Sequence, residues 1–252
     1  MKKLLYTFIF VVSSYMLVGQ VNIKDSSIFI PMFYGFYGYQ FPGNDLADQY
    51  GNFSVVGPGF QFKLKSNWVF GVEYNHYWGA RVKNDAQILE NFLTEDGNII
   101  AMDGTYASFY MKGRGFRINA NFGKLFPVLS PNPNSGILIT AGAGYLQHWN
   151  RIRVNEEKII PGFEGDYGLG YDRLTTGFSL SQFVGYMYLG NTRVLNFYIG
   201  WEFVQAWTKN RRDIDFDTGK KDGASKFETL NGFKVGWIIP IHKRTPKEFY
   251  FY

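Results

Sequence analysis

Few side chains in this sequence could act as a catalytic base. The chain has three histidines, His76, His148 and His242, and no cysteine. A hydroxyl nucleophile needs such a base within hydrogen-bonding reach, yet no serine stands at a recognisable hydrolase spacing from any of the three. His148, near the end of a predicted strand, is the strongest candidate. Alone it does not predict a reaction, so we expect no enzymatic activity, no catalytic residues and no cofactor.

A second candidate site is a run of alternate aspartates, Asp213, Asp215 and Asp217. Carboxylates at alternate positions can direct oxygen atoms to a hard cation such as calcium. The glycine that follows comes one place late for an EF-hand loop, and basic pairs flank the run at 211–212 and 220–221. The pattern favours a solvated hairpin tip with no metal, and calcium binding is the alternative.

The elements that would position these residues are strands with two different faces. In 67–79 the even positions are mostly aromatic or apolar, from Trp68 to Trp78, whereas the odd positions include Gly71, Glu73 and Asn75. Alternation with period two predicts a β-strand. A face of glycine, asparagine and charge cannot form a hydrophobic core, but it can line a narrow polar lumen while the apolar face meets lipid.

The same alternation predicts an all-β fold, an up-and-down transmembrane barrel of eight antiparallel strands. Each segment is long enough for the roughly 9–11 residues that a tilted membrane-spanning strand needs. In the first segment both faces are apolar, which leaves its register open. The eight segments are 27–41, 53–64, 67–79, 106–122, 136–150, 174–189, 192–207 and 229–241.

The lengths of the connections give the barrel an orientation. Short turns at one end and long loops at the other are typical of bacterial outer-membrane barrels, whose long loops face outward. The pattern therefore predicts four extracellular loops and places both chain ends in the periplasm. The shorter connections are 65–66, 127–135 and 190–191. The long polar connections are 42–52, 80–105, 151–173 and 208–228.

The first residues are predicted to be a secretory signal peptide. Lys2 and Lys3 precede a mostly apolar run, and Gly19 suits a cleavage site. An N-terminal membrane anchor is the alternative, but the run is short for a spanning helix and is interrupted by serine. We divide the chain into a signal peptide (1–19), a barrel (20–241) and a periplasmic tail (242–252).

In its alternation and loop lengths, 20–241 resembles the small eight-stranded outer-membrane barrels, and its aromatic content of 19% resembles barrels of the Bacteroidota. The resemblance implies localisation in the cell outer membrane, among outer-membrane lipid and lipopolysaccharide. Such barrels commonly end their last strand on an aromatic residue, and Tyr252 fits. Pro246 and the charged run 242–247 interrupt that strand. Either the strand ends at Ile241 and a tail follows, or a break is tolerated.

Charges inside so narrow a barrel must be paired, because unpaired burial is costly. Glu73 and Arg117 lie on the polar faces of neighbouring strands at similar heights, as do Glu202 and Lys234. We expect two cross-strand ion pairs that pack the lumen, and a gate or proton path is the other interpretation. An eight-stranded barrel holds only its own side chains or one small ligand, which argues against a diffusion pore.

Apolar residues in two of the long loops are candidate contact residues. Loop 80–105 has an apolar core at helical spacing that includes Phe92 and Leu93, and loop 151–173 contains Phe163 and Tyr167. Exposed apolar groups of this kind indicate contact with a partner. Packing of one loop on another is the alternative interpretation.

These features favour an integral outer-membrane barrel without enzymatic activity, which presents its loops for binding or for envelope integrity. The alternative is an accessory subunit of a larger outer-membrane complex for secretion, protein insertion or surface-lipoprotein export, and a lipid-modifying enzyme is the third possibility. The net charge of +5 comes from scattered Lys and Arg. Without a basic stripe interleaved with aromatic residues, we expect no nucleic-acid partner.

Overall fold

The computed structural model describes residues 26–154, 158–163, 165, 167–190 and 195–241. The predicted signal peptide, Asn191 of the short connection 190–191, His242 and the predicted periplasmic tail lie outside these residues. Within them, eight antiparallel strands form a closed barrel, and two short strands form a separate hairpin. The fold class predicted from the alternation of side chains is therefore confirmed.

The barrel strands are β1 (Ile30–Asn44), β2 (Phe53–Lys63), β3 (Trp68–Trp78), β6 (Phe109–Phe126), β7 (Gly136–Val154), β8 (Thr175–Leu189), β9 (Asn196–Asn210) and β10 (Ser225–Pro240). The hairpin strands in the second long loop are β4 (Ile99–Ile100) and β5 (Tyr106–Ala107). Two short α-helices, α1 (Asp45–Gln49) and α2 (Asp85–Ile88), and three 3-10 turns lie in the long loops. Those turns are Glu90–Phe92, Pro161–Phe163 and Tyr167–Gly170. No helix in the described part of the chain is long and apolar enough to cross a membrane.

Each barrel strand pairs with the next one along the chain, and β1 pairs with β10 to close the ring. This pairing fixes the register of β1, which the sequence left open. Tyr34 lies opposite Ile238 of β10 and opposite Gly59 of β2, and its side chain is buried. Its neighbour Phe33 is 52% exposed, so even positions of β1 face the lumen.

Several strands extend further on the long-loop side than the alternation predicted. β7 continues to Val154, β9 continues to Asn210, and β10 begins at Ser225. In these extensions the outward positions include the charged residues Arg151, Arg153 and Lys209, and also the aromatic Phe227. Charged residues in 151–154 therefore belong to a strand and were wrongly placed in a loop.

The outer surface of the barrel is apolar, whereas the lumen is polar. Outward residues at the middle of the strands include Val72 and Ile199, both more than half exposed. A buried polar interior inside an exposed apolar belt is the architecture of an outer-membrane β-barrel, in which lipid covers the exposed belt.

A pair of polar residues, Gln182 and Gln205, interrupts this belt, and their contact explains how. Gln182 of β8 faces outward and exchanges two hydrogen bonds with Gln205 of β9, at 3.0 and 3.1 Å. Because each amide donates to and accepts from the other, neither oxygen faces lipid without a partner.

Candidate functional site

Four charged side chains from four different strands meet inside the barrel. Glu73 comes from β3, Arg117 from β6, Glu202 from β9 and Lys234 from β10, and all four are buried. The alternation of each strand turns these residues inward. The narrow lumen brings them together although they are far apart in sequence. We call this group the lumen quartet.

The shortest ion pairs of the lumen quartet cross the lumen. Arg117 Nη2 lies 2.6 Å from Glu202 Oε1, and Lys234 Nζ donates to Glu73 Oε1. The pairs expected from the sequence are longer: 4.0 Å for Arg117–Glu73 and 3.3 Å for Lys234–Glu202. Each carboxylate thus contacts both cations, and the structure holds one four-membered cluster instead of two separate pairs.

Strand register is the reason for this difference. Glu73 lies opposite Asn119, and Arg117 lies opposite Asn75. Arg117 is therefore displaced by two residues from Glu73, and its long side chain reaches across the lumen. Lys234, which lies opposite Gly200 of β9, is displaced from Glu202 in the same way.

Neutral side chains complete the hydrogen bonds of both carboxylates. Tyr34 Oη donates to Glu73 Oε2 at 3.0 Å, and Gln40 Nε2 donates to Glu202 Oε2 at 3.1 Å. A Cβ atom at Gly59 would lie 2.1 Å from the Tyr34 ring, so a glycine there allows the ring to lie across the lumen. Buried charges are tolerated when their remaining hydrogen-bonding positions are filled in this way.

The lumen beside the quartet is nearly full. A cavity of about 30 Å³ is lined by residues that include Tyr34, Glu73, Glu202 and Lys234. Such a volume holds about two water molecules. The buried side chains of the lumen quartet and their neighbours thus fill most of the lumen around this cavity.

His148 of β7 is buried in the lumen nearer to the long loops than the lumen quartet is. Its Nε2 lies 3.0 Å from both carboxylate oxygens of Glu228, and the ring of Tyr50 stands edge-on to it at 5.5 Å. Tyr50 in turn donates to Asn150 Oδ1 at 2.7 Å. Burial, and then the charge of Glu228, raise the pKa of the Tyr50 hydroxyl well above its ordinary value.

The described contacts of His148 bear on the enzyme interpretation. Among the described residues, no serine or threonine hydroxyl is hydrogen-bonded to the His148 ring, and the ring is only 4% exposed. Leu46 of α1 and Phe53 help to enclose it. His76, the other described histidine, lies on the outward face of β3, where it stacks on Trp78 at 6.1 Å.

The three aspartates of the calcium candidate face three different partners. Asp213 pairs with Lys221 at 2.9 Å, Asp215 accepts from Asn210, and Asp217 pairs with Arg173. Burial raises the pKa of Asp215. In the described residues, no three His, Asp or Glu side chains are grouped so that they could hold a metal ion.

Aromatic residues join three of the long loops into one cap over the barrel mouth. Phe92 contacts Phe163 with ring centroids 4.9 Å apart and Tyr171 at 5.5 Å. Tyr171 contacts Phe216 at 5.6 Å. We call these four residues the cap cluster. Phe92 and Phe163 are thus placed by loop packing, the alternative interpretation given above.

The two remaining contact candidates differ in exposure. Leu93 is half-buried against the apolar core and pairs with Ile99 of the loop hairpin. Tyr167 is 67% exposed. Tyr167 is therefore the one candidate of the four whose side chain remains largely available to another molecule.

Removing a member of the cap cluster should loosen the loops without unfolding the barrel. We expect Phe92→Ala to accelerate proteolysis within 80–105 by severalfold, because the ring packs on Phe163 and Tyr171 of a second loop. Limited proteolysis of intact cells measures this. Tyr167→Ala, which removes an exposed ring, serves as the control. If both variants and the wild type were cleaved within 80–105 at the same rate, the cap cluster would not hold the loops together.

Lys63 lies on the inward face of β2, as the alternation predicts, and it is buried at the short-turn end of the barrel. Lys63 Nζ donates to Asn134 Oδ1 at 2.8 Å and to Ser27 Oγ at 3.0 Å. Asn134 also accepts from the backbone N–H of Ile28 at 3.0 Å. These contacts tie the chain before β1 to the turn between β6 and β7, and they close the floor of the barrel.

Comparisons with known proteins add only distant structural likenesses. No protein-family model and no curated protein matches the sequence. Among solved structures, the chain is similar to Ail, the attachment invasion locus protein of Yersinia pestis, at 7% identity over 84% of this chain and 99% of that chain, with a TM-score of 0.39. It is also similar to the N-terminal barrel domain of Pseudomonas aeruginosa OprF (11% identity, 83% and 97% covered, TM-score 0.37). Pseudomonas aeruginosa OprG is a third such structure (10% identity, 85% and 97% covered, TM-score 0.32).

Proposed function

We propose that this protein is a closed, non-enzymatic outer-membrane barrel that presents a structured loop cap at the cell surface, for binding or for envelope integrity. The single observation that carries this proposal is the lumen quartet, which fills the barrel at the height where a channel would need to be open. In a barrel filled at this height, the outer surface and the loops are the parts that remain available for function.

The loop cap supports a binding role more than a passive one. Three loops are held together by the cap cluster and by ion pairs such as Arg212–Asp172 and Arg173–Asp217. Binding sites are often loops held in place by a rigid scaffold. Pre-ordering of the loops lowers the entropy that is lost when a partner binds.

A subunit role in a larger complex is the competing proposal, and the lipid-facing surface bears on it. The amides of Gln182 and Gln205 satisfy each other, so the belt does not need a partner's side chain at that point. The third possibility, a lipid-modifying enzyme, would need a nucleophile beside His148, and Glu228 occupies the reachable nitrogen of that ring.

Gentle detergent extraction of the tagged protein from its own outer membrane tests the proposal. We expect a native-gel band that contains this chain alone, and no unitary conductance when the band is inserted into planar bilayers. A stoichiometric large barrel in the band would instead make the protein a complex subunit. A steady open channel would contradict the closed lumen, and recovery in the soluble periplasmic fraction would contradict the membrane placement.

A further inference from the structure

Five basic side chains lie together on the outward face of the barrel, on the long-loop side. Arg81 follows β3, Lys112 and Arg114 belong to β6, and Arg151 and Arg153 belong to β7. Arg114 is half-buried and the other four are exposed. We call these five residues the basic patch. They come from three neighbouring strands, so they are scattered in the sequence and adjacent only in the folded barrel.

Backbone pairing sets three of these cations in one line. Arg81 pairs with Lys112, and Lys112 pairs with Arg151 in the β6–β7 ladder. Like charges directly opposite one another on adjacent strands destabilise the pair. None of the five residues forms an ion pair with another described residue. The patch is therefore a concentration of positive charge that a bound anion would stabilise.

Aromatic side chains lie directly below the basic patch. Trp149 is paired with Arg114, and the rings of Phe116 and Tyr145 are 6.1 Å apart on the same two strands. Girdles of aromatic residues mark the height at which the hydrocarbon of a membrane meets its headgroups. The strand residues of the basic patch, two to four positions beyond Phe116 and Trp149, therefore stand at the height of the headgroups.

The opposite side of the barrel differs. At the same end of β8, β9 and β10, the last outward positions are Thr176, Lys209 and Ser225, and Arg211 follows β9 by one residue. These three strands and the residue after β9 supply two cations, whereas β6, β7 and the segment after β3 supply five. The positive charge is thus denser on one side of the rim, as expected for a site and not for a general excess of basic residues.

We propose that the basic patch binds the phosphate groups of a phosphorylated glycolipid, the lipid A part of lipopolysaccharide. Arginine and lysine bind phosphate oxygens through charge-assisted hydrogen bonds. The acyl chains of the same molecule would lie on the apolar belt beneath Phe116 and Tyr145. A soluble anion would use the cations and leave that surface unused, which is why a lipid fits better. This inference rests on the proposed placement in the outer membrane with the long loops outside.

Binding of bisphosphorylated lipid A to the full-length protein in detergent tests the site. We compare the wild type with the double variant Lys112→Gln/Arg151→Gln, and with the matched control Lys65→Gln/Lys221→Gln, which loses the same charge elsewhere. We expect the patch variant to bind roughly 25-fold more weakly, because each of the two basic residues near an anionic surface contributes about fivefold. The control should bind as the wild type does. An equal loss in both variants would overturn the proposal.

Two further arms identify the ligand. The wild type should bind dephosphorylated lipid A no more tightly than the patch variant binds phosphorylated lipid A. Heparin, a soluble polyanion, should not displace lipid A from the wild type when both are present at equal charge concentration. Effective competition by heparin, or undiminished binding of dephosphorylated lipid A, would overturn the assignment to lipid A phosphates.

A folding control separates a lost site from a lost fold. Because the substitutions remove like-charge contacts, the patch variant should unfold in lipid-free detergent no earlier than the wild type, as read from its heat-modifiable gel mobility. If the protein inserts in the outer membrane but does not bind lipid A, this inference alone is contradicted. A protein that never reaches that membrane would contradict the proposed function as well.

Discussion

Replacing Arg117 with methionine should destabilise the barrel by about 3–5 kcal/mol, the range observed when one partner of a buried ion pair is removed. The guanidinium lies 2.6 Å from Glu202, and it is fully buried. Its removal leaves two carboxylates, Glu73 and Glu202, facing a single ammonium group at Lys234. Equilibrium unfolding in urea, with the protein in lipid vesicles, measures the change.

Two controls separate charge from packing in this experiment. The double variant Arg117→Met/Glu202→Gln removes one charge of each sign, and it should recover most of the lost stability, since replacing a whole buried pair is often neutral. Arg114→Met changes an outward arginine on the same strand and should alter stability by less than about 1 kcal/mol. If Arg117→Met had the same urea midpoint as the wild type, the ion pairs of the lumen quartet would not contribute to the stability of the barrel.

An arginine introduced into the apolar belt should cost far more than the same arginine in a turn of equal exposure. Val72 lies in the middle of β3 and is 55% exposed, and Val128 lies in the turn after β6 and is 53% exposed. If lipid covers the belt, Val72→Arg should destabilise the barrel by about 2–4 kcal/mol. Val128→Arg meets water and should stay within about 0.5 kcal/mol of the wild type.

Because the two valines match in type and exposure, only their surroundings differ. The measurement is the urea midpoint in lipid vesicles, repeated for both variants. Equal midpoints for Val72→Arg and Val128→Arg would mean that the outer face of β3 is in contact with water, and they would contradict a membrane-spanning barrel.

The sequence predicted the barrel because alternation is a local property. In β3 the alternation of apolar and polar residues from Val72 to Glu73 to Tyr74 can be recognised without knowledge of the neighbouring strands. The same holds for most strands of the barrel. In β1 both faces carry aromatic residues, since Tyr34 and Phe36 point into the lumen. The register there depends on pairing with β2 and β10, which no local pattern encodes.

The contacts between distant residues were less predictable, for the same reason. The four members of the lumen quartet follow from parity, but their crossed pairing follows from strand register and from the reach of the Arg117 side chain. The basic patch was missed because its cations come from three strands. No stretch of sequence is unusually basic, and the line from Arg81 to Arg151 exists only after the strands pair.

The central claim is that this chain crosses the outer membrane as a barrel with its long loops outside, and single cysteines test it most directly. The chain has no cysteine, so Lys221→Cys in the loop between β9 and β10 and Lys65→Cys in the turn between β2 and β3 each report one position. We predict that a membrane-impermeant maleimide labels Lys221→Cys in intact cells and labels Lys65→Cys only after the outer membrane is opened. If intact cells were labelled at Lys65→Cys and not at Lys221→Cys, the orientation would be contradicted. If neither variant were labelled before lysis and both were labelled after it, exposure of the loops at the cell surface would be contradicted.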